Sequence, residues 1–423
     1  MDILSLIGLI ALILVGINFV SQLGKGIPII ELMLLIAGMQ WILGPIIEYS
    51  TPALHYKYYM YVDQNVYMSY VVPAYIVFSG IILLHRKQFQ NIKLPVENLK
   101  KYKNYGLIIF LIGVGFDVLG NNMPGALGFF VFILSNFKFA GAIILYFSEN
   151  ENLKRIFYGA IVYLFISALA KAMFHDLILW SIFFYMFWSL KFKPSIKTIL
   201  LTFMFAAVSV TTLQTIKAGY RSQIWSGYQG NKLELFVGLA TDAILLNGAY
   251  AEEINEDSNN VRLNQGWIIS AIMDQIPVSQ EYLGGETIKD AIFATLVPRF
   301  LNPSKKTAGG RENFRKFTGL KISEGTSMGI SIIGEAYGNY RVMGGIIFMG
   351  IWGLFLVRVW IFFLRKSFQN TLLLAFVPIV FLQVVKAETE LVVVLNHLVK
   401  SMIVIFLFFW ATKQFLNWSF KNE

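Results

Sequence analysis

Gln214, Lys217 and Arg221 follow one another at intervals of three and four residues, so on a helix they share one face. Arg262 precedes Leu263, Asn264 and Gln265 at the start of an apolar run. Arg299 follows Pro298 at the end of another, and Lys305 comes after Pro303. Arginine is the natural partner of a pyrophosphate: its planar fork gives two hydrogen bonds to phosphate oxygens and keeps its charge at any working pH. Each cation taken alone is equally an interfacial anchor whose head reaches water. As a set within one polar stretch they point to an anionic substrate.

A second constellation runs from Gly325-Thr326-Ser327 through Gly334-Glu335-Ala336-Tyr337-Gly338-Asn339-Tyr340 to Gly344-Gly345. The glycines permit close backbone approach, and Glu335 could take the proton of a sugar hydroxyl. On spacing alone the plainer reading of Glu335, a hydrated interfacial carboxylate, comes first. A third signal is Glu390, His397 and Lys400, at offsets of seven and three along the last apolar run. Ionisable groups within a bilayer are costly and rarely face lipid, so this stripe marks a polar cavity or a structural contact. Asp117 and Lys138 are also intramembrane charges, expected at different depths and therefore not as a pair.

The chain has 423 residues, of which 56% are hydrophobic and 14% charged, and its mean hydropathy is +0.61. A soluble chain would carry about 25% charged residues, so this is an integral membrane protein. Cysteine is absent, which excludes disulfides, thiolate metal sites and a cysteine nucleophile. Four histidines do not suggest a histidine-rich metal centre. The net charge of +10 lies mostly in short loops between apolar runs, so it reads as topology control and not as nucleic-acid binding. The start, Met1-Asp2-Ile3-Leu4, lacks a basic leader and reads as a retained first span.

About 20 apolar residues cross a bilayer. Eleven runs qualify: 3–20, 27–46, 66–84, 105–121, 126–147, 155–170, 174–191, 197–215, 341–363, 371–386 and 391–412. The expected fold is thus an all-α polytopic bundle forming a single membrane domain, 1–423. Its spans lie in 1–216 and 341–423, and one long loop, 217–340, separates the two groups. Arg86, Lys87, Lys93, Lys100, Lys101 and Lys103 fall between the third and fourth spans and put that loop in the cytoplasm. The alternation then places the N-terminus outside, the C-terminus inside and 217–340 outside, on a face otherwise poor in cations. Within that loop the apolar runs 233–249, 265–276 and 287–297 are too short or too charged to cross, and read as amphipathic helices on the outer face. A long loop kept among short ones usually carries function. No GxGxxG, P-loop, HExxH or Asp-x-Asp motif sits at a usable position. Without an Asp-x-Asp, a metal-held nucleotide-sugar donor is disfavoured and a lipid-linked donor held by arginines is favoured; no metal or cofactor is expected.

The order Gln214-x-x-Lys217-x-x-Tyr220-Arg221, Arg262-Leu263-Asn264-Gln265-Gly266, Pro298-Arg299 with Pro303 and Lys305, then Ser327 and Gly334-Glu335-x-Tyr337, resembles the Wzy-type O-antigen and capsule repeat-unit polymerases. The motifs cover roughly 210–350, and the layout covers the whole chain. Asn302, Ser304 and Lys306 depart from the Trp, Asp and Pro of that family's usual Pro-Arg-x-x-Trp-Pro-Asp-Lys-Pro string, while Arg299 and Gly310 match its R-x10-G spacing. The resemblance implies a bacterial inner-membrane glycosyltransferase with the membrane fold shared with the O-antigen ligases. It would join undecaprenyl-pyrophosphate-linked oligosaccharides on the outer face, beside a chain-length regulator and a flippase. Arg221, Arg262 and Arg299 would then surround the donor pyrophosphate, with Lys217 and Lys305 adding to the field. Glu335 would be the base, with His397 second, and Tyr337 would orient the acceptor. The rival readings are a ligase with the same electrostatics and a lipid-linked oligosaccharide transporter using the Glu390–His397–Lys400 stripe.

Overall fold

The computed structural model describes residues 2–52, 58–90, 92–120, 123, 127–245, 263–297, 310–323 and 326–420. All regular structure among them is helical. The first helices are α1 (Ile3–Gln22), α2 (Ile29–Ser50), α3 (Gln64–Leu84), α4 (Lys103–Leu119), α5 (Gly128–Ser135) and α6 (Phe137–Tyr146). Then come α7 (Glu151–Lys171), α8 (His175–Phe192) and α9 (Ile196–Trp225). The long loop contributes α10 (Lys232–Leu245), α11 (Gly266–Val278), α12 (Glu286–Leu296) and α13 (Arg311–Thr318). The chain closes with α14 (Ile332–Gln369), α15 (Val377–Phe381) and α16 (Leu391–Leu416).

Local chemistry sets many of these boundaries. Asp2 accepts the Ser5 amide (2.7 Å), Asn150 those of Asn152 and Leu153, and Ser195 that of Thr198 (3.2 Å), each filling an orphan donor at a helix start. The ends of α7, α8 and α16 fall at Ala172, Lys193 and Asn417, all in the left-handed region.

Among the described residues nine helices are long and apolar enough to cross a membrane, and the chain is a multi-pass membrane protein. Two of the eleven expected runs are not among the nine. The run 174–191 forms α8, an 18-residue helix bounded by His175, Asp176 and Lys191. The run 371–386 winds as a 3-10 segment, Thr371–Phe376, into the short α15, and the helix ends at Phe381. At about 1.5 Å per residue this piece is too short to cross alone. Every residue from Thr371 to Leu382 is buried, and irregular backbone at such depth is tolerated only inside protein.

The loops gather at two ends of the bundle. At one end Gly24 N–H donates to Ser189 Oγ (3.1 Å), Lys100 pairs with Glu149 (3.1 Å), Lys191 donates to the Tyr146 carbonyl (3.1 Å), and Trp418 stacks on Tyr105 (4.1 Å between ring centres). At the other end Tyr61 N–H donates to Ser270 Oγ (3.1 Å), Lys386 pairs with Asp176 (3.6 Å), and Ser331 N–H donates to the Glu388 carbonyl (3.2 Å). The described parts of the long loop meet this second end, through Ser270, Ser331 and the Arg221–Ala172 contact.

The expectation that Asp117 and Lys138 stand at different depths is overturned. Lys138 Nζ lies 2.9 Å from Asp117, and the Tyr163 hydroxyl donates to the same carboxylate. The fifth run breaks at Asn136 into α5 and α6, which re-aims Lys138. Gly113 lets α4 approach so closely that an added Cβ would strike the backbone of Phe137 and Lys138. Within the long loop, α11 does not rest on the surface. Trp267, Ile268, Ile269, Ile272 and Ile276 are all at most 2% exposed, so the helix is embedded between α2, α13 and α14. The helix α13 went unexpected because its apolar face is only Phe314 and Phe317, packed near Trp267.

Candidate functional site

A cleft of 580 Å3 separates α9 from the bundle at the loop end. Along α9 it is walled by Phe203, Ala206, Ala207 and Val210, then by Gln214 and Lys217. From Phe203 to Lys217 that wall is roughly 20 Å long at about 1.5 Å per residue, and it changes from hydrocarbon to amide and ammonium. The facing wall is Met39 and Gln40 of α2, Ile178 and His175 of α8, Leu263 and Gln265 ahead of α11, and Glu388 ahead of α16. A pocket that is mostly apolar with a few convergent polar groups is the usual form of a ligand site.

Local backbone chemistry builds the facing wall. Residues Met39–Leu43 wind as a π turn inside α2, and such wide turns leave carbonyls out of register with the helical ladder. The Gln40 carbonyl accepts Gln265 N–H (3.1 Å) and the Trp41 carbonyl accepts the Tyr67 hydroxyl (2.8 Å). Gly44 permits this docking, since an added Cβ would lie 2.5 Å from the Leu263 carbonyl oxygen. The buried Oε1 atoms of Gln40 and Gln265 have no hydrogen-bond partner among the described residues. His175 Nε2 lies 3.9 Å from Glu388 Oε1, with both side chains partly exposed. An imidazole beside a carboxylate, in one cleft with a lysine, can accept a proton while the lysine attracts an anion.

The residues singled out in the sequence distribute unevenly over this geometry. Gln214 and Lys217 line the cleft. Arg221, one turn further on, donates from Nε to the Ala172 carbonyl (2.8 Å) and lies over the Trp225 ring. Tyr220 donates to the Leu169 carbonyl (3.0 Å), Trp225 to Lys171 and Lys232 to Ala170 (both 3.4 Å). Together these side chains satisfy the last carbonyls of α7 and fasten the upper end of α9 to it. Lower down, Phe203 of α9 meets Phe19 of α1 edge-on (6.2 Å). Arg262, Arg299 and Lys305 lie outside the described residues; Arg262 directly precedes the cleft residue Leu263.

Glu335 is buried away from the cleft. Its Oε1 accepts from Thr287 Oγ1 (2.8 Å) and its Oε2 from Leu391 N–H (2.9 Å), so it ties α12 to the first amide of α16. Asn339 bonds Thr287 (2.8 Å) and receives Gly285 N–H (3.1 Å), reinforcing the same joint. Tyr337 packs on Tyr70 (5.1 Å between ring centres) with its hydroxyl between Tyr282 and the Ile276 carbonyl. The stripe of the last helix is divided among separate partners. Glu390 accepts Gly310 N–H and Asn313 (3.1 Å each), His397 meets the Ile379 carbonyl (2.7 Å), and Lys400 lies over the Phe129 ring (5.6 Å). Burial first, and then the neighbouring Glu335, raise the Glu390 pKa to about 7.

Sequence reasoning missed His175, Glu388 and Gln40 as cleft groups, and noted Gln265 only as part of the string that follows Arg262. The signal available was weak: a histidine at a span boundary on the side of the long loop, among only four histidines in the chain. Neither the family models, the curated proteins nor the solved structures contain a match to this chain.

Proposed function

We propose that the protein is a glycosyltransferase that joins lipid-pyrophosphate-linked oligosaccharides, as a repeat-unit polymerase of a bacterial inner membrane. The loop end is its outer face, with eleven crossings and a cytoplasmic C-terminus. The observation that carries this reading is the cleft, hydrocarbon-walled along α9 and ending at Gln214, Lys217 and His175. Its polarity matches a polyisoprenyl chain joined to a pyrophosphate. Lys217 meets the pyrophosphate, with Arg262, adjacent in sequence to Leu263, as a further cation and Arg299 and Lys305 as candidates from the same loop. In the transfer an acceptor hydroxyl attacks the donor's anomeric carbon, the bond to the pyrophosphate oxygen breaks, and the lipid pyrophosphate departs with its charge held by these cations. The hydroxyl proton passes to a base. His175, beside Glu388, is the group in the cleft suited to receive it. Glu335 and His397 act as supports, since each is engaged in the interior.

A transporter is less well supported, because the polar groups of the cleft gather at the loop end of the bundle and the Glu390–His397–Lys400 groups have separate partners. The reading is tested with purified protein in vesicles and a lipid-pyrophosphate-linked repeat unit. Polymer is expected from the unaltered chain. With His175→Asn the rate should fall by roughly 100-fold or more, as loss of a general base does. With Lys217→Ala the KM for the donor should rise. Movement of the lipid without extension, or full polymer from both variants, would overturn it.

A further inference from the structure

The helix α12 begins beside the start of α16. Thr287, in its first turn, donates to Glu335 Oε1, and Glu335 Oε2 accepts the Leu391 amide. From that joint α12 packs along α16, itself among the nine membrane-length helices, burying Ala291, Ala294 and Thr295. Small residues let two helices lie close over their length.

The other side of α12 is exposed, and its character changes along the helix. Glu286, Lys289 and Asp290 are exposed in the first turns. Ile292, Phe293 and Leu296 follow, at 48, 53 and 70% exposure. Phe293 stands two turns beyond Glu286, and Leu296 two turns beyond Lys289. The same line on the helix surface therefore passes from charge to hydrocarbon. A helix lying flat at an interface divides its polarity around the circumference, with one long side apolar and the other charged. A division along the axis belongs to a helix that leaves water at one end. Because α12 departs from the first turn of α16 and follows it, its last turns descend toward the depth that α16 occupies. Two turns correspond to about 11 Å.

We propose that α12 is a re-entrant helix whose final turns are immersed in the lipid chains of the leaflet at the loop end, with Ile292, Phe293 and Leu296 contacting hydrocarbon. The occupant of this apolar face is bilayer lipid, since its charged part lies at the end nearest the loop and its apolar part toward the turns of α16 where Ile403 and Leu407 are themselves exposed. The inference rests on the membrane assignment alone and not on the transferase reading.

The absence of cysteine allows single-cysteine variants without background. Lys289→Cys, Phe293→Cys and Leu296→Cys are compared in vesicles with a charged, membrane-impermeant maleimide. Nitroxide-labelled lipids then serve as quenchers of a fluorophore placed at each site, and elution as the unaltered species confirms folding. Lys289→Cys should react at the rate of a water-exposed thiol. Phe293→Cys and Leu296→Cys should react roughly tenfold or more slowly, because hydrocarbon excludes a charged reagent, and should be quenched by acyl-chain nitroxides. Equal rates at all three positions would overturn the proposal. So would protection of Leu296→Cys without lipid quenching but with cross-links between copies, which would make the face a protein interface.

Discussion

Two glutamates, Glu335 and Glu390, stand where α12, α13 and α16 meet, and each spends both oxygens on donors from other elements. Glu390 also offers a test in solution. Its folded pKa, about 7, exceeds the ordinary value of 4.5. The folded state therefore holds a proton that the unfolded chain releases between those values. The contribution to stability is fully present below the unfolded pKa and is lost as pH rises through about 7, a change of about 3 kcal/mol for a shift of this size. In detergent the melting temperature of the unaltered protein should fall between pH 5 and pH 8 relative to Glu390→Gln, whose profile should be flatter over that window. Parallel profiles would remove Glu390 from the account. At this scale the sequence was informative about residue type and blind to partners. Lys217 and Arg221 share a spacing, yet only Lys217 faces the cleft, because the open carbonyls of α7 lie within reach of Arg221.

At the scale of elements, apolar length was legible and interruptions were not. Most membrane-length helices fall within a few residues of the runs read from the sequence, because hydrocarbon runs declare themselves by composition. The break at Asn136 and the π turn at Met39–Leu43 leave no compositional mark. Both decide chemistry, one by bringing Lys138 to Asp117 and the other by exposing the Gln40 carbonyl to the cleft wall. This pair, of a buried Lys138 and a partly exposed Asp117, permits a double-mutant cycle. Asp117→Asn alone removes the counter-charge of the Lys138 ammonium, and Lys138→Met alone leaves the carboxylate with the Tyr163 hydroxyl but no cation. Each should lower stability by about 3 kcal/mol or more. The combined variant should recover most of that loss, since no unpaired charge remains. Thermal unfolding of the three variants measures this coupling, and simple additivity would deny the pair. Replacing Gly113 with leucine should cost as much by forcing α4 away from α6.

For the whole molecule, the two ends of the bundle are distinguished by which loops touch, and the charge bias of the sequence assigns those ends to the two sides of a membrane. Single cysteines at Lys87 and Lys321 test the assignment in intact cells. An impermeant reagent should label Lys321→Cys and spare Lys87→Cys. The reverse pattern would invert the orientation. The cleft itself was not legible. Its wall is assembled from positions 39–40, 175–178, 203–217, 263–265 and 388, and no local pattern in one chain reports that such distant stretches will converge. What the sequence did carry was the share from α9, because Gln214 and Lys217 are the first amide and the first charge after the largely apolar stretch from Ile199 to Leu213.

The fastening of α9 has a consequence for traffic. The helix is clasped to α7 near Arg221 and meets α1 at Phe203, but between those two points Ala206 and Ala207 stand open. Held at two points, the helix leaves the apolar side of the cleft reachable from the flank between them. A molecule already dissolved among the lipids could slide in by its tail, without first being lifted into water and without any gate having to part.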